Sequence, residues 1–151
     1  MEEVNKIVID DLNHLITICT DGKDGYQEAA EDADSAVLRS MFAGYSAERA
    51  EFSEKLKEEV RKLGGNPDRN GSPFGGVHKA WIDVKTALSA RDSKAGLSAC
   101  ITGEQEAIKA YSAVLKKNQV AAETRSILNQ QRSNIEETLN KVEGLFETIE
   151  S

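Results

Sequence analysis

Five carboxylates placed on or beside the apolar stripes of predicted helices could bind a metal ion. They are Asp21, Glu48, Glu51, Glu104 and Glu136. Residues three or four positions apart share one face of a helix, and carboxylate oxygens are preferred ligands of hard divalent cations. Carboxylates on the inner faces of packed helices could therefore form a carboxylate-rich or all-oxygen site for iron, manganese or another divalent cation.

These carboxylates differ in how far they are predicted to point inward. Glu104 lies between two isoleucines on its stripe and Glu48 is also predicted to point in, whereas the other three lie at stripe edges. An unpaired carboxylate in an apolar core raises its pKa or requires a cation or hydrogen-bond donors. Such donors could come from the tyrosines Tyr26, Tyr45 and Tyr111. Arg49 and Lys109 adjoin the glutamates in sequence but are predicted to lie on different faces.

Other catalytic chemistry finds little support in the sequence. The two histidines, His14 and His78, are too few to assemble a catalytic triad with any specificity. The glycine-rich segment at residues 71–76 lacks the lysine of a phosphate-binding loop, so its serine is predicted to cap a helix instead. Cys19 and Cys100 form no C-x-x-C motif and occupy apolar positions, which predicts buried, structural thiols.

Charge and hydropathy exclude several classes of partner. The net charge of -7 leaves no basic surplus to neutralise the phosphates of a nucleic acid or of an anionic membrane surface. The N-terminus lacks the basic start and apolar core of a signal peptide, and no apolar run approaches the ~20 residues of a membrane span. We therefore expect a cytoplasmic protein that binds neither nucleic acid nor a membrane.

The carboxylates depend for their positions on long helices. The chain of 151 residues has 30% charged residues, 5% aromatic residues and two prolines, which is typical of a single all-α domain over residues 1–151. Apolar residues recur at three- and four-residue steps. This periodicity predicts helices over about residues 4–33, 35–63, 76–90, 94–117 and 121–149.

Two glycines interrupt the first predicted helix. Gly22 and Gly25 each lower helix propensity by about 1 kcal/mol relative to alanine. Glycine at that spacing near the inner face predicts the close approach of a neighbouring helix or of a bulky side chain.

The breaks between the predicted helices indicate their topology. Asp34 or Ser35 is predicted to cap the second helix and Asp92 or Ser93 the fourth, while Gly64 ends the second. Tight turns join the first helix to the second and the fourth to the fifth, so each pair is predicted to form an antiparallel hairpin. The short third helix lies in the long connection between the hairpins, which is typical of a four-helix bundle with one crossover.

Four segments carry a resemblance to a known family. They are DGKDGYQEAAED at residues 21–32, KLGGNP at 62–67, HKAW at 78–81 and GEQEAIKAY at 103–111. In this order and spacing they resemble a bacterial family of uncharacterised four-helix-bundle proteins, a domain of unknown function within the ferritin-like superfamily. The resemblance covers almost the whole chain and implies a ferritin-like fold without a settled activity.

The di-iron pattern of ferritin-like bundles is incomplete in this chain. That pattern has one carboxylate on each of two helices and a Glu-x-x-His pair on each of the other two. Mapped onto this chain, the pattern selects the five carboxylates named above. Glu51 and Leu139 stand where the two histidines would be, and a leucine cannot bind a metal. The sequence therefore predicts that a complete di-iron site is absent.

Two functional hypotheses follow from the sequence. We favour a non-enzymatic, stress-related or interaction protein in which a metal site has decayed, and which forms a homodimer through a helix face. The alternative is a carboxylate-based protein that binds iron or manganese and has storage or oxidase character. No cofactor other than such a metal is predicted.

Overall fold

The computed structural model describes residues 2–67, 75–117 and 119–149. Within these ranges the chain forms no strand and five helices, α1 (Glu2–Asp32), α2 (Ala36–Lys62), α3 (Gly75–Ser89), α4 (Ser93–Leu115) and α5 (Ala122–Thr148). The prediction of an all-α chain is confirmed, and each helix begins and ends within two residues of its predicted position. None of these helices combines the length and the apolar character that crossing a membrane requires.

Side-chain caps and a left-handed glycine set the helix ends. The Ser35 side chain accepts a hydrogen bond of 3.3 Å from a first-turn N–H of α2, and Asp92 accepts one of 3.0 Å at the start of α4. Each cap satisfies a backbone donor that has no partner within the helix. Gly64 follows α2 with a φ of 85°, a conformation that strains residues with a side chain. The predicted loop at residues 66–76, with its Ser72 cap, lies largely outside the described ranges.

The helices pair as two antiparallel hairpins, α1 with α2 and α4 with α5. Hydrogen bonds within the hairpins join Lys23 with Ser46, Thr20 with Ser53, Tyr111 with Gln131, and Lys94 with Ile149. In each hairpin the residue numbers rise along one helix as they fall along the other, so the two helices run in opposite directions.

The two hairpins also pack against each other in antiparallel fashion, α1 beside α4 and α2 beside α5. Hydrogen bonds between the hairpins join Asp11 with Lys117, Cys19 with Tyr111, Glu59 with Thr124, and Phe52 with Gln131. Since α2 and α4 both run opposite to α1, they run parallel to each other. The chain must therefore return along the bundle between them.

Helix α3 carries the chain on this return path. It runs parallel to the second half of α1, and polar contacts join Asp21 with His78, Glu28 with Lys85, and Asp32 with Ser89. Its last turn thus lies near the end of α1, where the turn into α4 begins.

The apolar core takes side chains from all five helices. Its fully or almost fully buried members include Leu12, Leu15, Phe42, Leu56, Val84, Leu97, Leu128 and Ile135. Fully burying an aliphatic or aromatic side chain of this size stabilises a fold by about 1.5–3 kcal/mol. Cys19 and Cys100 are both free and buried, which confirms the prediction that they occupy apolar positions of the core.

Trp81 of α3 packs against glycines of two other helices. A Cβ built on Gly25 of α1 would overlap the indole ring, and one built on Gly103 of α4 would lie 2.9 Å from it. Because these two positions carry no side chain, α3 can approach α1 and α4 closely, and Trp81 is only 5% exposed. The close approach predicted at Gly25 is confirmed.

Candidate functional site

An ion pair lies buried in the middle of the bundle. Arg49 of α2 donates from Nη2 to Oε1 of Glu104 of α4. The two side chains are 2% and 0% exposed. Isolated charges are strongly disfavoured in the low-dielectric interior of a protein, so each side chain supplies the partner that the other requires.

Arg49 occupies a position on the apolar stripe of α2. It follows Tyr45 by four residues and precedes Phe52 by three, which is the spacing of the buried positions of this helix. The prediction that Arg49 lies on a different face from the inward-pointing residues is wrong. Glu48, one position earlier, is only half-buried at the edge of the stripe. The three- and four-residue spacing already indicated that Arg49 points inward, but a charged side chain is ordinarily expected at the surface.

Gly22 of α1 makes room for the arginine. A Cβ added to Gly22 would lie 2.5 Å from Nη1 of Arg49, closer than real Cβ atoms approach other heavy atoms. The close approach predicted at Gly22 is therefore confirmed, and the side chain that approaches is the guanidinium. α1, α2 and α4 together form the walls of this polar centre.

Two tyrosines lie beside the ion pair. The Tyr26 and Tyr45 rings meet edge to face with centroids 5.3 Å apart, and the Arg49 guanidinium carbon lies 6.0 Å from the centroid of the Tyr26 ring. Burial and the nearby Glu104 carboxylate raise the pKa of Tyr26 well above its ordinary value, so its hydroxyl remains protonated. Burial also raises the pKa of Glu104, and the charge and hydrogen bond of Arg49 oppose that effect.

Several buried polar atoms at this centre have no hydrogen-bond partner among the described residues. They are Nη1 of Arg49, Oε2 of Glu104, and the hydroxyl oxygens of Tyr26 and Tyr45, although the Tyr26 hydroxyl lies close enough to Glu104 to oppose the rise in the pKa of that carboxyl. Buried polar groups in proteins are almost always hydrogen-bonded. The centre is therefore polar and electrostatically paired, but it is not saturated by hydrogen bonds within the described chain.

A second polar chain crosses the core between α1, α4 and α5. The Cys19 Sγ lies 3.1 Å from the Tyr111 hydroxyl, which donates to Oε1 of Gln131 at 2.7 Å. Gln131 donates in turn to the backbone carbonyl of Phe52 at 3.4 Å. Burial raises the pKa values of both Cys19 and Cys100, which favours the protonated thiols.

The five predicted metal ligands lie in different surroundings. Glu104 is paired with Arg49, and Glu48 is half-buried close enough for the charges of both to affect its pKa. Glu51 is exposed on α2. Glu136 is 54% exposed on α5, where its carboxylate lies 3.7 Å from Nε of Arg132.

Asp21, the fifth, lines a cavity between α1 and α3. Its Oδ2 lies 3.7 Å from Nδ1 of His78, and the cavity, of about 220 Å³, is floored by Trp81. Burial raises the pKa of Asp21, and the charge of His78 opposes this effect. Sequence reasoning missed the proximity of these two residues, because only the packing of α3 alongside α1 brings them together.

A family assignment follows from comparison with known proteins. A family model described as a domain of unknown function, DUF2383, matches residues 7–117. The chain belongs to the DUF2383 family. The function of this family is unknown. No curated protein matches the sequence at a significant level.

The DUF2383 match includes the whole polar centre but not all of the second polar chain. Arg49, Glu104 and the Asp21–His78 contact fall inside the matched residues, and α5 falls outside them. Gln131, which completes the second polar chain, therefore lies beyond the match.

Within the described ranges, no three or more His, Cys, Asp and Glu side chains lie together in an arrangement that could hold a metal ion. The structure brings Glu48 and Glu104 towards Arg49 and leaves Glu51 and Glu136 on the surface. Metal binding by the five carboxylates stays a prediction, to be tested by measurement.

Proposed function

We propose that this DUF2383 protein is a ferritin-like bundle with a non-enzymatic role as an interaction protein, and that an internal ion pair replaces a metal centre in its core. The observation that carries the proposal is the Arg49–Glu104 contact. The carboxylate that the sequence places furthest inward requires a positive charge, and the guanidinium of its own chain provides one.

The course of the chain supports the ferritin-like part of the proposal. Two antiparallel hairpins with one long crossover between them are the arrangement of ferritin-like bundles. The parallel direction of α2 and α4 and the return of the chain through α3 agree with this arrangement.

The charge of the polar centre supports the non-enzymatic part. A divalent cation beside Glu104 would have to share its place with the Arg49 guanidinium, and two cations in such proximity repel each other strongly in a low-dielectric interior. The ligand pattern of ferritin-like di-iron proteins also requires histidines. The positions mapped to them hold Glu51, which is exposed, and Leu139.

Metal analysis tests the proposal directly. Protein purified without chelator should contain no stoichiometric iron or manganese by mass spectrometry, and addition of either metal should leave the melting temperature unchanged. The variant Glu48→Ala should behave like the wild type in both measurements.

The opposite result would favour the carboxylate-based metal protein. In that case the purified protein would contain one or two metal ions per chain, and the variants Glu48→Ala and Glu104→Ala would lose them. The exposed Glu147→Ala variant should keep them and serves as the matched control. Because removal of Glu104 leaves Arg49 unpaired, the Glu48 variant carries the decision if the Glu104 variant does not fold.

A further inference from the structure

A groove between α2 and α5 lies on the side of the bundle away from α3. Its walls and floor include Glu51, Phe52 and Lys55 of α2 and Ser126, Ile127 and Gln130 of α5, and its volume is about 420 Å³. The hydrogen bond from Gln131 to the Phe52 carbonyl joins the two helices at its floor. The groove is therefore a feature of packed helices with an apolar interior.

The α5 wall of the groove belongs to a stretch that is depleted of charge. In residues 126–134 the exposed positions carry hydroxyl and amide side chains, and Arg132 is the sole charged residue. Charged residues make up 30% of the whole chain. Depletion of charge around an apolar centre is the compositional mark of protein–protein interfaces.

The α2 wall carries one negative and one positive side chain that could pair with their opposites on a second copy of the chain. Glu51 and Lys55 are both exposed and lie one helical turn apart, and Lys55 also lies 3.4 Å from the exposed Glu58 of its own helix. In a two-fold symmetric interface each residue contacts its counterpart reciprocally. A two-fold axis that crosses α2 at this turn would place Glu51 of each copy opposite Lys55 of the other.

We propose that a second copy of this chain docks on the α2–α5 groove and forms a two-fold symmetric homodimer. Two molecules that each carry a charge of -7 repel each other over most of their surface. The groove offers a face with little net charge, an apolar centre at Ile127, and rim charges on Glu51 and Lys55 that can form two reciprocal ion pairs across the two-fold axis. This inference rests on the proposed role as an interaction protein and specifies its partner.

Charge reversal with sedimentation velocity tests the interface. Wild-type protein should dimerise over a range of about 1 to 500 µM, and Glu51→Lys and Lys55→Glu should each weaken dimerisation about tenfold or more. The double variant should recover dimerisation, because its two charges are exchanged but remain complementary. Far-UV circular dichroism of each variant verifies that the helices are retained.

The two single variants also separate a local contact from an effect of net charge. Glu51→Lys makes the chain less negative and Lys55→Glu makes it more negative, so an effect of net charge alone would act in opposite directions. Glu106→Lys on α4 is the matched control, since it reverses a charge of the same sign at a partly exposed site that pairs with Lys109 (3.6 Å) and does not line the groove.

Three results would overturn the inference. They are a wild-type monomer throughout the concentration range, a dimer that both single variants leave unchanged, and a double variant that does not recover. None of these results depends on metal content, so failure of the dimer is distinguishable from failure of the proposed function.

Discussion

At the scale of single residues, the Arg49–Glu104 pair is the main electrostatic feature of the core. Moving a charged side chain from water into a protein interior costs several kcal/mol even after relaxation, and the attraction within the pair offsets this only while both members are present. Burial alone would lower the pKa of Arg49, but the Glu104 carboxylate raises it above its ordinary value, so the guanidinium stays charged.

Removing one member of the pair should therefore be strongly destabilising. We expect Arg49→Met to lower the free energy of unfolding by about 3–5 kcal/mol near neutral pH, because it leaves the Glu104 carboxylate buried without a counter-charge. The double variant Arg49→Met/Glu104→Gln should regain part of this loss. Urea denaturation of the four proteins of this cycle gives the coupling energy between the two sites.

An exposed pair provides the control for this cycle. Lys79 and Asp83 of α3 lie 3.0 Å apart with side chains 76% and 50% exposed. Lys79→Met should change the free energy of unfolding by less than about 1 kcal/mol. Additive effects of the Arg49 and Glu104 substitutions would contradict the role assigned to the pair.

Glu48 should make stability depend on pH in a defined direction. Burial raises its pKa, the charge of Arg49 opposes this, and Glu104 adds to it. The folded state therefore binds the Glu48 proton more tightly than the unfolded chain, in which the pKa of a glutamate is 4.5. As the pH rises above that pKa, ionisation of Glu48 therefore lowers the free energy of unfolding. Glu48→Gln should therefore be more stable than the wild type at about pH 8, and the difference should shrink as the pH falls towards 4.5.

Denaturation at a series of pH values measures this difference. Lys141 and Glu137 of α5 also act on the charge of Glu48, so both stay unchanged in the comparison. Glu147→Gln, at an exposed site, controls for the change in net charge. A stability difference between Glu48→Gln and the wild type that stays constant over the pH series would contradict a raised pKa of Glu48 in the folded state.

At the scale of the helices, small residues decide how closely α3 can pack. Trp81 of α3 lies against Gly25 of α1 and Gly103 of α4, and its ring also meets that of Tyr26 with centroids 4.7 Å apart. Protein interiors are packed at the density of organic crystals, so an added methyl group at such a contact must displace its neighbour. The position of α3, and with it the cavity beside Asp21, depends on these glycines.

Glycine substitutions should therefore have opposite effects at two helical sites. Gly25→Ala should lower the free energy of unfolding by about 1–3 kcal/mol, since its Cβ overlaps the Trp81 ring. At Gly44 of α2 no atom lies within 4 Å of the added Cβ, so Gly44→Ala should raise the free energy of unfolding by up to about 1 kcal/mol through helix propensity. Urea denaturation followed by the fluorescence of Trp81, the only tryptophan, measures both, and a gain in stability at Gly25 would refute the packing argument.

At the scale of the whole molecule, α5 completes the bundle. It buries Leu128, Ile135 and Val142, and it supplies Thr124, which donates to the buried Glu59 at 2.9 Å. The DUF2383 match ends at residue 117, before this helix begins. In this chain α5 is nevertheless part of the same core as the matched helices.

A fragment that ends at residue 117 should therefore lose cooperative unfolding. Without α5 the apolar faces of α2 and α4 are exposed, so we expect a loose helical state with increased binding of a hydrophobic dye. A peptide of residues 119–151 added in trans should restore a cooperative transition, and the same peptide with Ile135→Asp should not. Cooperative unfolding of the fragment alone, measured by circular dichroism in urea, would contradict this expectation.

Much of the fold was predictable because its signals are local. Helix ends followed from capping residues such as Ser35 and Asp92, which bond within one turn of their own position. Gly22 and Gly25 predicted close packing without naming what packs there. The structure supplied the partners, which are a guanidinium and an indole from other helices.

The sequence by itself determined the five helices, their ends and the apolar stripes, because these depend on interactions between residues a few positions apart. It placed Glu104 at the centre of the bundle but could not name its partner. Only the tertiary structure decided that Arg49 is that partner and that His78 lies beside Asp21. The reason is physical: a charge on an apolar stripe is tolerated only when another helix brings the opposite charge to it, and that depends on how whole helices pack.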